Sequence, residues 1–193
     1  MHAVLTSRPP DQAVAALLAE IDDLRAEIVR LQHLADTDCL TRLANRRRIE
    51  RELHRTLQLA ARQDRPAALA LLDIDGLKAI NDRHGHLAGD AVLAHVARHL
   101  RAAFRATDIV GRLAGDEFAL ILPCSDAKAA TQRLRRCVVA LAAAPVPTAK
   151  GAVLVRLSFG VVDLMPGDAP ADALHRADAA MYRAKRAPFG EDA

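Results

Sequence analysis

Residues 67–72, Ala-Ala-Leu-Ala-Leu-Leu, form a continuous apolar run that stops abruptly at Asp73-Ile74-Asp75-Gly76. Arg65-Pro66 closes its other end, so the run has the length of a strand rather than of a helix. An unbroken apolar strand has no polar face to offer water and belongs in the middle of a sheet covered on both sides. That demands an α/β or α+β chain, with helices packed on a central sheet. It also has a chemical consequence. A buried strand ending in two carboxylates needs a cation or a partner for them, because unpaired buried charge is costly.

The rest of the chain supplies the covering elements. After a leader over residues 1–10, ending in Pro9-Pro10 and expected to be unstructured, a helical pattern without Gly or Pro runs from Asp11 to about Leu34. Leu17, Ile21, Leu24, Ile28 and Leu31 are spaced by 4, 3, 4 and 3 residues, the alternation of a coiled-coil seam. An amphipathic helix lying on its own domain is the plainer reading. The narrow stripe and the charged remainder (Glu20, Asp22, Asp23, Arg25, Glu27, Arg30) favour a dimerising coiled coil. Asp36-Thr37-Asp38 then break the pattern with good N-cap residues. The expected organisation is a leader and coiled-coil helix over 1–35 and a globular domain over 36–193. Within the domain, helices are expected at about 45–63, 77–83, 88–103, from Ser125 or Asp126 to about Leu141, and at 171–186. Strand-like runs at 109–112 and 118–122 flank only Leu113-Ala114-Gly115-Asp116-Glu117, which is hairpin geometry. Residues 151–163 are strand-rich, and 166–170 form a loop.

Composition removes several classes of function. Of 193 residues 51% are hydrophobic, ample for a core, while only 3% are aromatic and none is Trp. That argues against single-stranded nucleic-acid binders, which stack bases on aromatic rings. Net charge is +3, and the densest basic run, Arg46, Arg47, Arg48, Arg51 and Arg55, reads as a solvated helix face rather than a DNA contact. Cys39, Cys124 and Cys137 have no metal-type spacing and read as reduced thiols. No apolar stretch has the length of a membrane span, and no signal-peptide pattern is present. A soluble cytoplasmic protein with no nucleic-acid or membrane partner is expected.

Asp73/Asp75 form one acidic cluster and Asp116/Glu117 a second. They are either solvated turn residues or, if the hairpin lies beside the central strand, a hard-oxygen site suited to Mg²⁺. Motifs around both clusters resemble the diguanylate cyclase (GGDEF) family. Arg112-Leu-Ala-Gly-Asp-Glu-Phe118 resembles its signature hairpin. Asp73-Ile-Asp-Gly-Leu-Lys-Ala-Ile-Asn-Asp-Arg-His-Gly-His-Leu-Ala-Gly-Asp90 is similar to its D-x-D-x-F-K-x-I-N-D-x-x-G-H-x-x-G-D block. Asp38-Cys-Leu-Thr-Arg-Leu-Ala-Asn-Arg-Arg47, Ser158-Phe159-Gly160 and Ala177-Asp178-Ala-Ala-Met-Tyr182-Arg-Ala-Lys185 resemble three further family motifs, in family order.

The resemblance implies a nucleotidyl-cyclase-like fold with a mostly antiparallel central sheet covered by helices. It implies a diguanylate cyclase that condenses two GTP into cyclic di-GMP as a homodimer, paired here by the N-terminal helix. By the same resemblance Asp73 and Asp116 bind Mg²⁺ or Mn²⁺, with the carbonyl of Ile74 assisting. Glu117 is a further ligand or base, and which acid takes the 3′-hydroxyl proton stays open. Asn81 and Asp90 read guanine, Lys78 and Lys185 hold the triphosphate, and the backbone of Gly76 and Leu77 cradles phosphate beside Gly115. Arg105-Ala-Thr-Asp108, five residues before the hairpin motif, has the spacing of the family's inhibitory product site, with Arg112 as a supporting residue.

Two departures from the family pattern bear on activity. Ala114 replaces a Gly; if that position needs positive φ or close approach to the nucleotide, the cost is on the order of 1 kcal/mol. Phe189 stands where a basic phosphate contact is expected. The alternative they motivate is a degenerate domain that binds GTP or cyclic di-GMP as a signal without making product.

Overall fold

The structure, a computed structural model, describes residues 10–63 and 65–186. The leader at 1–9 and Phe189 lie outside the described residues. The chain divides into two compact units, Met1–Asp36 and Thr37–Ala193. The first contains α1 (Pro10–Asp36), on which Leu17, Ile21, Leu24, Ile28 and Leu31 are all exposed. Among the described residues no helix is long and apolar enough to cross a membrane.

The second unit runs α2 (Arg46–Gln63), β1 (Ala67–Ile74), α3 (Leu77–His84), α4 (His86–Ala103), β2 (Ile109–Ala114), β3 (Glu117–Pro123), α5 (Ala127–Ala142), β4 (Val146–Thr148), β5 (Gly151–Val153), β6 (Leu157–Asp163) and α6 (Pro170–Arg186). The main sheet has the order β2-β3-β1-β6 with every neighbouring pair antiparallel. As the apolar run requires, β1 is central and buried along its whole length.

Alternation along β1 sorts the core into two layers. Ala68, Ala70, Leu72 and Ile74 pack with Val92, Val96, Leu100, Leu134 and Leu141 of α4 and α5. Ala67, Leu69 and Leu71 pack with Ile49, Leu53, Ala173, Ala177 and Met181 of α2 and α6. Gly160 permits the close seating of α6: a Cβ there would stand 2.1 Å from the Met181 nitrogen.

Three local expectations change. The strand-rich stretch at 151–163 is two strands, because β5 turns back through Ala149-Lys150 to pair with the unforeseen β4. The hairpin is tighter than expected, with only Gly115-Asp116 between β2 and β3. The capping role expected at 36–38 falls instead to Asn45, whose Oδ1 accepts from Arg48 N at 3.1 Å. Asp38 organises the preceding loop, its Oδ1 accepting from the Thr41 N–H at 2.8 Å and the Thr41 hydroxyl at 2.6 Å.

Candidate active site

Antiparallel register puts the two acidic clusters side by side. Asp73, the penultimate residue of β1, is the cross-strand partner of Glu117, the first of β3. The Ile74 N–H donates to the Asp116 carbonyl at 3.2 Å, closing the hairpin tip against the end of the central strand. Cross-strand partners share a face, and this face is the one covered by α6. Lys185, in the last turn of α6, places Nζ 2.7 Å from Asp73 Oδ1. Its pKa is raised, first by that hydrogen bond, then by the charges of Asp73, Asp75 and Asp116 over the opposing effect of burial. Four side chains from three separate motifs therefore act on one another at one strand end.

Asp73 is nearly buried, with 9% of its surface exposed, whereas Asp116 is half-buried and Glu117 exposed. Their donors are hard oxygens, the set Mg²⁺ and Mn²⁺ take, so the residues fit such an ion. Among the described residues no three His, Cys, Asp or Glu side chains are grouped as a ready-made metal site, and one Asp73 oxygen is held by Lys185.

On the opposite layer, Gly76 turns the chain at φ +72° from β1 into α3. The side chain of Leu77 is buried in the core, leaving its backbone at the helix start, while Lys78 is exposed. Asn81, on the same helix, packs against Gly89 of α4 so closely that a Cβ on Gly89 would meet Asn81 Oδ1. That Oδ1 is sealed from water without a hydrogen-bond partner. Asp90 follows Gly89 and is exposed. Asn81 thus holds an unpaired amide oxygen, and Asp90, next to Gly89, an exposed carboxylate.

The hairpin carries no strain at Ala114. That residue is exposed extended strand, and the left-handed residue is its neighbour Gly115, at φ +46°. The backbone penalty expected from a positive φ at position 114 does not arise. Arg112 is engaged in bracing the turn: Nε and Nη2 donate to the Gly115 carbonyl at 3.0 and 2.8 Å, and Nη1 lies 3.4 Å from Asp38 Oδ1. Burial pushes the Asp38 carboxyl up, but the Thr41 hydroxyl and N–H and the Arg112 charge outweigh it and hold it below the ordinary value. Sequence reasoning missed this brace; Asp38 and Arg112 are 74 residues apart, and only the fold joins them.

Arg105 and Asp108 stand away from this cluster, at the turn before β2. Asp108 is buried, accepting from the Arg105 N–H at 2.9 Å and pairing with Arg133 at 2.9 Å. The Arg105 side chain is exposed.

The sequence matches the family model described as diguanylate cyclase, GGDEF domain, over residues 35–191. The chain belongs to the GGDEF family. A diguanylate cyclase TpbB of Pseudomonas aeruginosa is 40% identical over 182 residues, covering 91% of this chain and 42% of that protein. Diguanylate cyclase DgcP of the same species is 36% identical over 177 residues, covering 92% of this chain and 25% of that protein. The chain thus spans about two fifths or less of the length of these relatives. Among solved structures, the coiled coil and GGDEF domain of DgcB from Caulobacter crescentus, in complex with c-di-GMP, superposes with a TM-score of 0.82 at 31% identity, covering 91% of this chain and 94% of that one. A GGDEF-only form of Pseudomonas aeruginosa TpbB gives 0.72 at 40% identity, over 78% of this chain and 88% of that one. As a GGDEF domain, this chain has the expected mostly antiparallel sheet covered by helices.

Proposed function

We propose that this GGDEF chain is a diguanylate cyclase that condenses two GTP into cyclic di-GMP and two pyrophosphates. The observation that carries the reading is the meeting of Asp73 with Lys185 and with the Asp116-Glu117 hairpin tip at the end of β1. GTP would straddle that strand end, its base at Asn81 and Asp90 and its triphosphate at Lys78, Lys185 and the Gly76–Leu77 backbone. The Asp90 carboxylate accepts from guanine N–H donors that adenine does not present in the same way, which selects GTP over ATP. Asp73 and Asp116, with the Ile74 carbonyl, would hold Mg²⁺ or Mn²⁺, whose contribution when bound is to neutralise charge on the phosphates.

Each 3′-hydroxyl attacks the α-phosphorus of the partner's GTP, a P–O bond forms, and the bond to pyrophosphate breaks. A carboxylate of the Asp116-Glu117 pair accepts the hydroxyl proton. The protein's share is positioning and charge compensation. Two half-sites require two chains, and the exposed apolar stripe of α1 supplies the means of pairing them in the cytoplasm. Product binding at the exposed Arg105 gives feedback.

The test is incubation with GTP and Mg²⁺, after removal of co-purified nucleotide, followed by chromatography for cyclic di-GMP. Product from the wild type and none from Asp116→Asn supports the reading. Binding of GTP without product places the chain among signal-binding domains.

A further inference from the structure

Ser158 has no part in the chemistry above, yet it is bonded to Asp75, whose charge acts on Lys185. Asp75 lies one residue beyond β1, where its N–H donates to the Arg156 carbonyl at 3.0 Å and its Oδ1 accepts from Ser158 Oγ at 2.8 Å. Both residues are half-buried. One main-chain and one side-chain bond thus tie the segment leaving β1 to the segment entering β6.

The next residue is Gly76, whose left-handed backbone swings the chain into α3, and no side chain caps that helix start. The position of the Gly76–Leu77 turn is therefore governed by what holds Asp75. A carboxylate beside a triphosphate is also repulsive unless its charge is engaged. The Ser158 hydroxyl engages one oxygen, and Lys185 feels the same charge.

We infer that Ser158 is a positioning residue: by fixing Asp75 it holds the Gly76–Leu77 turn in place to receive the GTP phosphates. The inference rests on the cyclase reading and deepens it, assigning the phosphate cradle a support from the opposite edge strand.

The experiment compares wild type, Ser158→Ala and Ser158→Thr for KM, kcat and nucleotide-free Tm, and measures affinity for a non-hydrolysable GTP analogue. Ser158→Ala should raise KM and weaken analogue binding by about tenfold, with kcat changed by less than about threefold, the pattern of lost binding rather than lost chemistry. Ser158→Thr, which keeps the hydroxyl, should restore both. A Ser158→Ala protein with wild-type KM overturns the inference, as does one that loses Tm alone. Should Ser158→Ala fail to fold, Ser158→Cys, which keeps a similar shape but donates only weakly, should still raise KM by about threefold or more; a wild-type KM would sink the proposal. A wild type that neither binds nor converts GTP overturns the cyclase reading itself, which is a separate result.

Discussion

Lys185 Nζ and Asp73 Oδ1 stand 2.7 Å apart, joining the last turn of α6 to the end of the central strand. Each is assigned a different part of the substrate complex, so in the free protein each compensates the charge that the other will later need elsewhere. The pair is partly exposed, and such pairs contribute roughly 0–1 kcal/mol. Lys185→Met should therefore leave Tm almost unchanged while raising the KM for GTP by about tenfold. A KM equal to that of wild type would remove Lys185 from the triphosphate site.

Asp116→Asn removes a charge from the hairpin tip without removing a bond the fold depends on. Turnover should fall by at least about a hundredfold, as expected for loss of an electrostatic group acting on the reacting phosphates, with Tm preserved. Cyclic di-GMP formation at wild-type rate would refute the assignment.

Arg112 and Arg105 should separate cleanly. Arg112→Lys cannot reproduce a fork that meets one carbonyl with two N–H groups and a carboxylate with a third. It should lower kcat and leave product inhibition intact. Arg105→Ala should relieve that inhibition and leave the initial rate alone. Progress curves that still plateau early in Arg105→Ala would refute the inhibitory assignment.

Asp108→Asn tests a different property of the same motif. Breaking a fully buried ion pair costs about 3–5 kcal/mol, and the partial exposure of Arg133 reduces this to about 2 kcal/mol. Denaturant unfolding at neutral pH should show that loss; an unchanged midpoint would mean that the Arg133 pair carries no stability.

Acid should weaken the fold through His95 of α4. Its ring is buried, and Nε2 has no partner within hydrogen-bonding geometry, although the Ala144 backbone lies near enough to favour a proton there. Burial first, then the charges of His99 and Arg98, hold its pKa below 6.5. The unfolded chain thus takes up a proton that the folded chain resists. This contribution is complete above pH 6.5 and is lost as pH falls through that value toward the lower folded one. Tm measured from about pH 8 to about pH 5.5 should drop in the wild type and drop less in His95→Phe. Equal slopes would place the effect elsewhere.

Much of this was legible because it is local. An apolar run between Pro66 and Asp73 can only be a covered strand, and five residues between two apolar runs can only be a hairpin. What escaped depends on distance along the chain. β4 is three residues long and contains Pro147, so its pattern carries no strand signal until β5 folds back on it. Asp38 reads as a helix cap until the fold brings Arg112 to it. Asp108 reads as a free acceptor until Arg133, 25 residues later, closes over it. The candidate site was visible as residue types at fixed spacing; its braces were not.

The loop before α2 has a consequence beyond the hairpin it supports. Ala44 donates to the Val110 carbonyl at 3.1 Å and accepts from the Arg112 N–H at 2.8 Å, so it lies along β2 as a one-residue extension of the sheet. β2 is an outermost strand, and outermost strands recruit other chains when their amides are bare. Ala44 therefore occupies the middle of that edge, taking the Val110 carbonyl and the Arg112 N–H that a second chain would otherwise meet. Removing the chain up to residue 44 would bare the Val110 carbonyl and the Arg112 N–H on that edge.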